Sequence, residues 1–97
     1  MQSSNLEAEI KATIEGNKVV VYSKSYCPFA SQTKQLMSSN GIDAKIFELD
    51  QMGNGQQIQD TLKSMTGQST VPNVFINGKH IGGNSDVQSM GAAKIKE

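Results

Sequence analysis

The only cysteine, Cys27, stands where an apolar run, Val19 Val20 Val21 Tyr22, passes through Ser23 Lys24 Ser25 Tyr26 into Pro28 Phe29 Ala30. Such a run predicts a buried strand, and Pro28 suits the first position of a helix, where its missing N–H costs nothing. The thiol is thereby placed between a strand end and a helix start. The first amides of a helix have no intrahelical acceptor and carry partial positive charge, which favours a thiolate over a thiol. Lys24, three residues earlier, is expected to add a full positive charge. A thiolate on a surface loop is a nucleophile toward disulfide sulfur, so this pattern offers covalent exchange at sulfur. Without Pro28 and the preceding strand, a lone cysteine would read as an inert buried hydrophobe.

Other residues surround that chemistry. Gly82 Gly83 Asn84 Ser85 Asp86 opens another helix, whose free amides suit an anionic group, with the glycines serving backbone geometry and close approach. Tyr26 and Phe29 flank the thiol and are expected to cover a ligand or a peptide partner. His80 reads as a surface histidine away from these motifs, not as a general base. The five methionines fit core positions or mobile loops. One Cys and one His are too few for a four-ligand metal site in a single chain, so no metal is expected there.

The elements that must position these groups alternate along the chain. Ser4 with Glu7 makes a capping-box signal, and Leu6, Ile10 and Ile14 form the apolar stripe of a first helix that stops near Gly16. Val19 to Tyr22 is the first strand. From Pro28, the residues Thr33, Leu36 and Met37 recur at helical spacing until Asn40 Gly41 stops the turn. Ala44 to Leu49 reads as a second strand, and Gly53 Asn54 Gly55 as a loop. Ile58, Leu62 and Met65 give a third helix that ends at Gly67. Val74 Phe75 Ile76, Asn77 Gly78 and Lys79 His80 Ile81 read as a hairpin, since Asn-Gly is the preferred type I′ turn. A short last helix follows. The order α-β-α-β-α-β-β-α predicts an α/β sandwich whose final hairpin makes the sheet mixed.

Composition bounds the answer. The 97 residues make room for one compact domain, 1–97, with one core. Nine basic residues balance nine acidic ones, which argues against a nucleic acid or an anionic membrane as a partner gathered by overall charge. No apolar stretch is long enough to span a bilayer, and no basic-then-apolar leader opens the chain. A single cysteine allows no internal disulfide, which favours a reducing compartment. The expected location is the cytoplasm, or an organelle matrix if a leader has been removed.

Three segments, Ser23 Lys24 Ser25 Tyr26 Cys27 Pro28 Phe29, then Thr70 Val71 Pro72 Asn73 Val74 Phe75 Ile76 Asn77 Gly78, then Ile81 Gly82 Gly83 Asn84 Ser85 Asp86, resemble the three signatures of a glutaredoxin, in order and over nearly the whole chain. The resemblance implies a thioredoxin-like three-layer sandwich, with a four-stranded mixed sheet flanked by helices, and glutathione-dependent thiol–disulfide chemistry. It implies that Cys27 is the nucleophile, and that Lys24 and Gln59 receive the glycine carboxylate of glutathione. A cis Val71–Pro72 bond would turn the Val71 backbone toward Cys27, where it pairs with the cysteinyl segment as a short antiparallel strand. Thr70 and Tyr26 would adjoin the ligand. The γ-glutamyl carboxylate would fall to the backbone N–H groups of Ser85 and Asp86, with the Asp86 side chain near the ligand amine. Pro28, Phe29, Gly82 and Gly83 would support the site.

One departure is large. Members with this Cys-Pro-aromatic motif usually carry a second cysteine three residues on, where this chain has Ala30. The chain is either monothiol by nature or altered at that position; Pro28 Phe29 resembles the dithiol members, which favours the second. The expected reaction is therefore a monothiol reduction of mixed disulfides between glutathione and proteins or small thiols, by a monomer. The competing reading is a cluster carrier, in which two chains and two glutathiones hold a [2Fe-2S] cluster through Cys27 thiolates; Pro28 weighs against it. Relatives tend to continue with a longer final helix than Met90 to Glu97 provides.

Overall fold

The computed structural model describes residues 2–97, with side chains from Asn5 onward. The elements are α1 (Gln2–Gly16), β1 (Val19–Ser23), α2 (Pro28–Ser39), β2 (Lys45–Glu48), a 3-10 turn (Leu49–Gln51), α3 (Gly55–Thr66), β3 (Asn73–Ile76), β4 (Lys79–Gly82) and α4 (Asn84–Lys96). The strands form one sheet in the order β2-β1-β3-β4, with β1 parallel to β2 and antiparallel to β3, and β3 antiparallel to β4. The expected mixed sheet is present, with the thiol-bearing loop leaving its inner strand β1.

Alternation along the strands divides the core into two. Val20, Tyr22 and Phe75 pack with Ile10 and Ile14 of α1 and with Ile58 and Leu62 of α3. Val19, Val21, Val74 and Ile76 pack with Met37 of α2 and with Val87 and Ile95 of α4. Every residue of β1 is buried, because both faces are covered and both edges paired. That is why its sequence is a continuous apolar run and not an alternation. Asn77 (φ 53°) and Gly78 (φ 77°) give the β3–β4 hairpin the two left-handed residues its turn requires.

Three expectations are corrected. α1 already includes Gln2, so Ser4 lies inside the helix and is not its N-cap; its side chain is outside the described residues. The second strand is shorter than Ala44 to Leu49, because Leu49 turns into the 3-10 segment to bury its side chain against α1 and α3. The last helix is not short. It spans 13 residues in two pieces joined at Gly91 (φ 78°, ψ 158°), a break that lets Ile95 reach the second core cluster.

Tyr22 stacks on Phe47 at 5.1 Å and meets Phe75 edge-on at 6.1 Å, and only 2% of it is exposed. Burial pushes its phenol up from 10.0 to about 12. The folded state thus favours neutral Tyr22, and the stability this confers is complete below pH ~10, then lost as pH rises toward ~12, because the unfolded chain ionises first. Absorbance titration of phenolate, set beside chemical denaturation, is expected to find Tyr22 ionising near pH 12 and stability falling between pH 10 and 12.

Candidate functional site

Cys27 directly precedes α2 in an extended conformation (φ −87°, ψ 118°), and Pro28 opens the helix as expected. The Cys27 amide donates to the Lys24 carbonyl at 3.1 Å, and its own carbonyl accepts the first helical bond, from Ser31 at 3.0 Å. The thiol, half-buried, therefore sits at the positive end of α2.

The approach to the thiol is pinned from the 3-10 turn. Asp50 accepts hydrogen bonds from the Ser25 hydroxyl at 2.5 Å and the Ser25 amide at 2.9 Å. These two donors, with a smaller contribution from the Lys24 charge, hold the Asp50 carboxyl below the usual carboxylate range. The bracing is thus present at neutral pH and is lost as Asp50 takes up a proton in acid. Neither Ser25 nor Asp50 stood out in sequence, because the contact joins residues 25 apart.

Across from the thiol lies the segment before β3. The Val71–Pro72 peptide is cis, and Cys27 Sγ is 3.7 Å from the Val71 carbonyl oxygen. The β1–β3 ladder begins at Asn73, so the Val71 N–H and C=O are not used in it. Phe29, Thr70, Val71, Pro72, Gly83, Asn84 and Ser85 line a groove of about 520 Å³ beside them. At its far end α4 begins, where Ser85 and Asp86 stand in the first turn, their amides without intrahelical acceptors. The Gly83 amide donates to Asp86 Oδ2 at 3.0 Å. Gly82 has φ +128°, and a Cβ there would run into that same carboxylate, which is why this position needs glycine.

The start of α4 is locked to the second turn of α2. Thr33 Oγ1 of α2 donates to Asn84 Oδ1 at 2.8 Å, and Asn84 Nδ2 donates to Gln32 Oε1 at 2.9 Å. The separation between the thiol and the free amides of α4 is therefore set by side-chain bonds as well as by the sheet.

Of the residues expected at the site, Cys27, Phe29, Thr70, Val71, Pro72, Gly83 and Ser85 converge on the groove. Lys24 lies on its approach beside Asp50, and Asp86 and Gly82 stand behind the far end. Tyr26 projects into solvent, 71% exposed, with Phe29 at 58%. Gln59 has one role not foreseen: its Nε2 donates to the Ser69 carbonyl at 2.7 Å, anchoring the loop before Thr70. Gln68 was missed altogether, and His80, read as remote, is hydrogen-bonded to it at 3.2 Å. Among the described residues no three or more of His, Cys, Asp and Glu gather in a metal-binding group. Among the described residues no helix is long and apolar enough to cross a membrane.

Comparison with known proteins places this geometry in context. The family model described as Glutaredoxin matches residues 19–81. The chain is 54% identical over 84 residues to monothiol glutaredoxin-S12, chloroplastic, of Arabidopsis thaliana, covering 86% of this chain and 47% of that protein. It is 51% identical over 83 residues to glutaredoxin-C6 of Oryza sativa subsp. japonica, covering 86% of this chain and 74% of that one. The chain spans about half the length of the first two curated relatives it matches, 47% and 51%. Among solved structures, the buckwheat glutaredoxin–glutathione complex superposes with a TM-score of 0.91 at 40% identity, over 98% of this chain and 87% of that one. The layers and strand order described above match the thioredoxin-like fold of such structures.

Proposed function

The chain belongs to the glutaredoxin family, and from that premise we propose that it reduces glutathione mixed disulfides by a monothiol route through Cys27. The observation that carries this reading is the lone thiol at the start of α2, 3.7 Å from a Val71 carbonyl that lies outside the sheet ladder. A disulfide whose glutathione half lies along the groove presents its sulfur to Cys27 while its cysteinyl backbone pairs with Val71. The γ-glutamyl carboxylate meets the free amides of Ser85 and Asp86. Lys24 serves the glycine carboxylate, with Gln59 second to it because one of its amide hydrogens already holds Ser69. Thr70, Pro72, Phe29 and Gly83 shape the groove wall, and Tyr26, exposed beside the thiol, is the side chain available to fold over a bound ligand or peptide partner.

The reaction follows from there. The Cys27 thiolate attacks the glutathione sulfur, forming a new S–S bond as the old one breaks and the partner thiolate departs. A second glutathione thiolate attacks the Cys27–glutathione bond, releasing glutathione disulfide and the free Cys27 thiolate. Ala30, fully buried three residues on, leaves no internal thiol to intercept the intermediate. Relatives named as monothiol, at 54% and 50% identity, support a single-thiol route. The substrates are glutathionylated proteins and small mixed disulfides. One chain is sufficient, and the setting is a reducing one, the cytoplasm or an organelle matrix, the latter supported by the chloroplastic relative.

The test is steady-state turnover of a small glutathione mixed disulfide coupled to glutathione reductase, with both substrates varied. Parallel double-reciprocal lines, and intact mass showing one glutathione on Cys27, are expected; intersecting lines would overturn the proposal. Ala30→Cys is expected to gain direct reduction of protein disulfides, measured on a disulfide-bonded test protein in the absence of glutathione. No gain in a folded variant would remove position 30 from the explanation of the monothiol route.

A further inference from the structure

Successive carbonyls of the loop before β3 are held by two glutamine side chains, and the exception is the one beside the thiol. Gln59 Nε2 donates to Ser69 O at 2.7 Å. Gln68 Nε2 donates to Thr70 O at 3.1 Å and to Pro72 O at 3.0 Å. Between those last two stands Val71, whose carbonyl oxygen lies 3.7 Å from Cys27 Sγ. Both hydrogens of the Gln68 amide are thus used on the two residues that bracket Val71.

The remaining atom of that carboxamide fixes its orientation. With its nitrogen toward two carbonyls, Gln68 must turn its oxygen the other way, and Oε1 meets His80 Nε2 at 3.2 Å. His80 is therefore the donor in this contact, a role that both the Nε2–H tautomer and the imidazolium fill. Its ring rests on Phe75 at 5.2 Å, and Phe75 belongs to the first core cluster. A continuous path runs from that core through His80 and Gln68 to the backbone that faces the thiol.

We infer that Gln68 is a positioning residue for the glutathione-binding edge of the site, with His80 as its support. By gripping Thr70 and Pro72, it holds the Val71 N–H and C=O in the one direction useful for pairing with an extended peptide. The inference rests on the proposed glutathione chemistry. It concerns selection of the glutathione moiety, not the reactivity of the thiol, and this distinction makes it testable.

Two reactions of Cys27 in the parent and in Gln68→Glu separate the roles. Glutathione disulfide glutathionylates Cys27, with one S–S bond made, one broken and a glutathione thiolate released. Iodoacetamide alkylates the same sulfur, expelling iodide without using Val71. Gln68→Glu keeps the side chain's shape but turns both donors into acceptors facing two carbonyls. It is expected to slow glutathionylation roughly tenfold, while alkylation stays within about twofold. Equal slowing of both reactions would mean that the loop or the thiol has simply loosened, and an unchanged glutathionylation rate would mean Gln68 does not position Val71; either overturns the inference. His80→Ala, should Gln68→Glu fail to fold, is expected to give a loss of roughly threefold in glutathionylation alone, and no selective loss overturns it equally. A parent that reacts with 2-hydroxyethyl disulfide as fast as with glutathione disulfide would instead sink the glutathione reading itself.

Discussion

Cys27→Ser is expected to reduce glutathione-dependent turnover to the uncatalysed background, a loss of at least roughly a thousandfold. The sulfur is the only thiol in the chain, and Ala30 occupies the position from which a second could act. A serine hydroxyl stays protonated at neutral pH and is a poor nucleophile toward disulfide sulfur, so the covalent intermediate is not formed. The replacement is nearly isosteric at a half-buried position and keeps a donor toward the Val71 carbonyl, so thermal unfolding should hardly move. The coupled assay and a melting curve together decide the matter. Residual turnover well above background in a folded Cys27→Ser would remove Cys27 from the role of nucleophile.

The largest effect on stability is expected at Gly55→Ala. Gly55 is the first residue of α3, and a Cβ there would fall on the backbone carbonyl of Leu49. Neither partner is a flexible side-chain tip, so relief requires moving the 3-10 turn away from the helix. A cost of about 3 kcal/mol or more follows, equivalent to a fall in Tm of roughly 12 °C for a domain of this size. Gly53→Ala, where a Cβ meets nothing within 4 Å, is the control and should stay within about 0.5 kcal/mol. Because the displaced turn carries Asp50, Gly55→Ala should also free Ser25 and disturb the approach to Cys27. Equal melting temperatures for the two variants would show that the turn gives way without cost.

What was legible in the sequence was whatever depends on neighbours in the chain. The apolar run Val19 to Tyr22, the stripe Ile58, Leu62, Met65 and the Asn77 Gly78 turn each declared its own element. The thiol at a helix start followed from residues within a few positions of it. What could not be read was pairing across long separations of otherwise ordinary residues. Asp50 on Ser25 and His80 on Gln68 are contacts that only the folded sheet brings about. A glutamine before Thr70 carries no local signal, since its amide N–H groups go to backbone carbonyls that any sequence would supply. The error in the last helix has a physical cause: Gly91 breaks the helix, and the piece beyond it stays folded because Ile95 enters the core.

The place of β1 in the sheet bears on when the protein can do its chemistry. Edge strands β2 and β4 have one unpaired side each, whereas β1 is hydrogen-bonded along both. Local opening takes the edges first, and the doubly paired, fully buried strand is among the last segments to exchange its amides with solvent. The reactive loop thus hangs from the part of the molecule that comes apart only when the whole domain does. Fraying at either margin of the sheet leaves the nucleophile's footing intact, so loss of Cys27 reactivity on heating should follow global unfolding and not precede it.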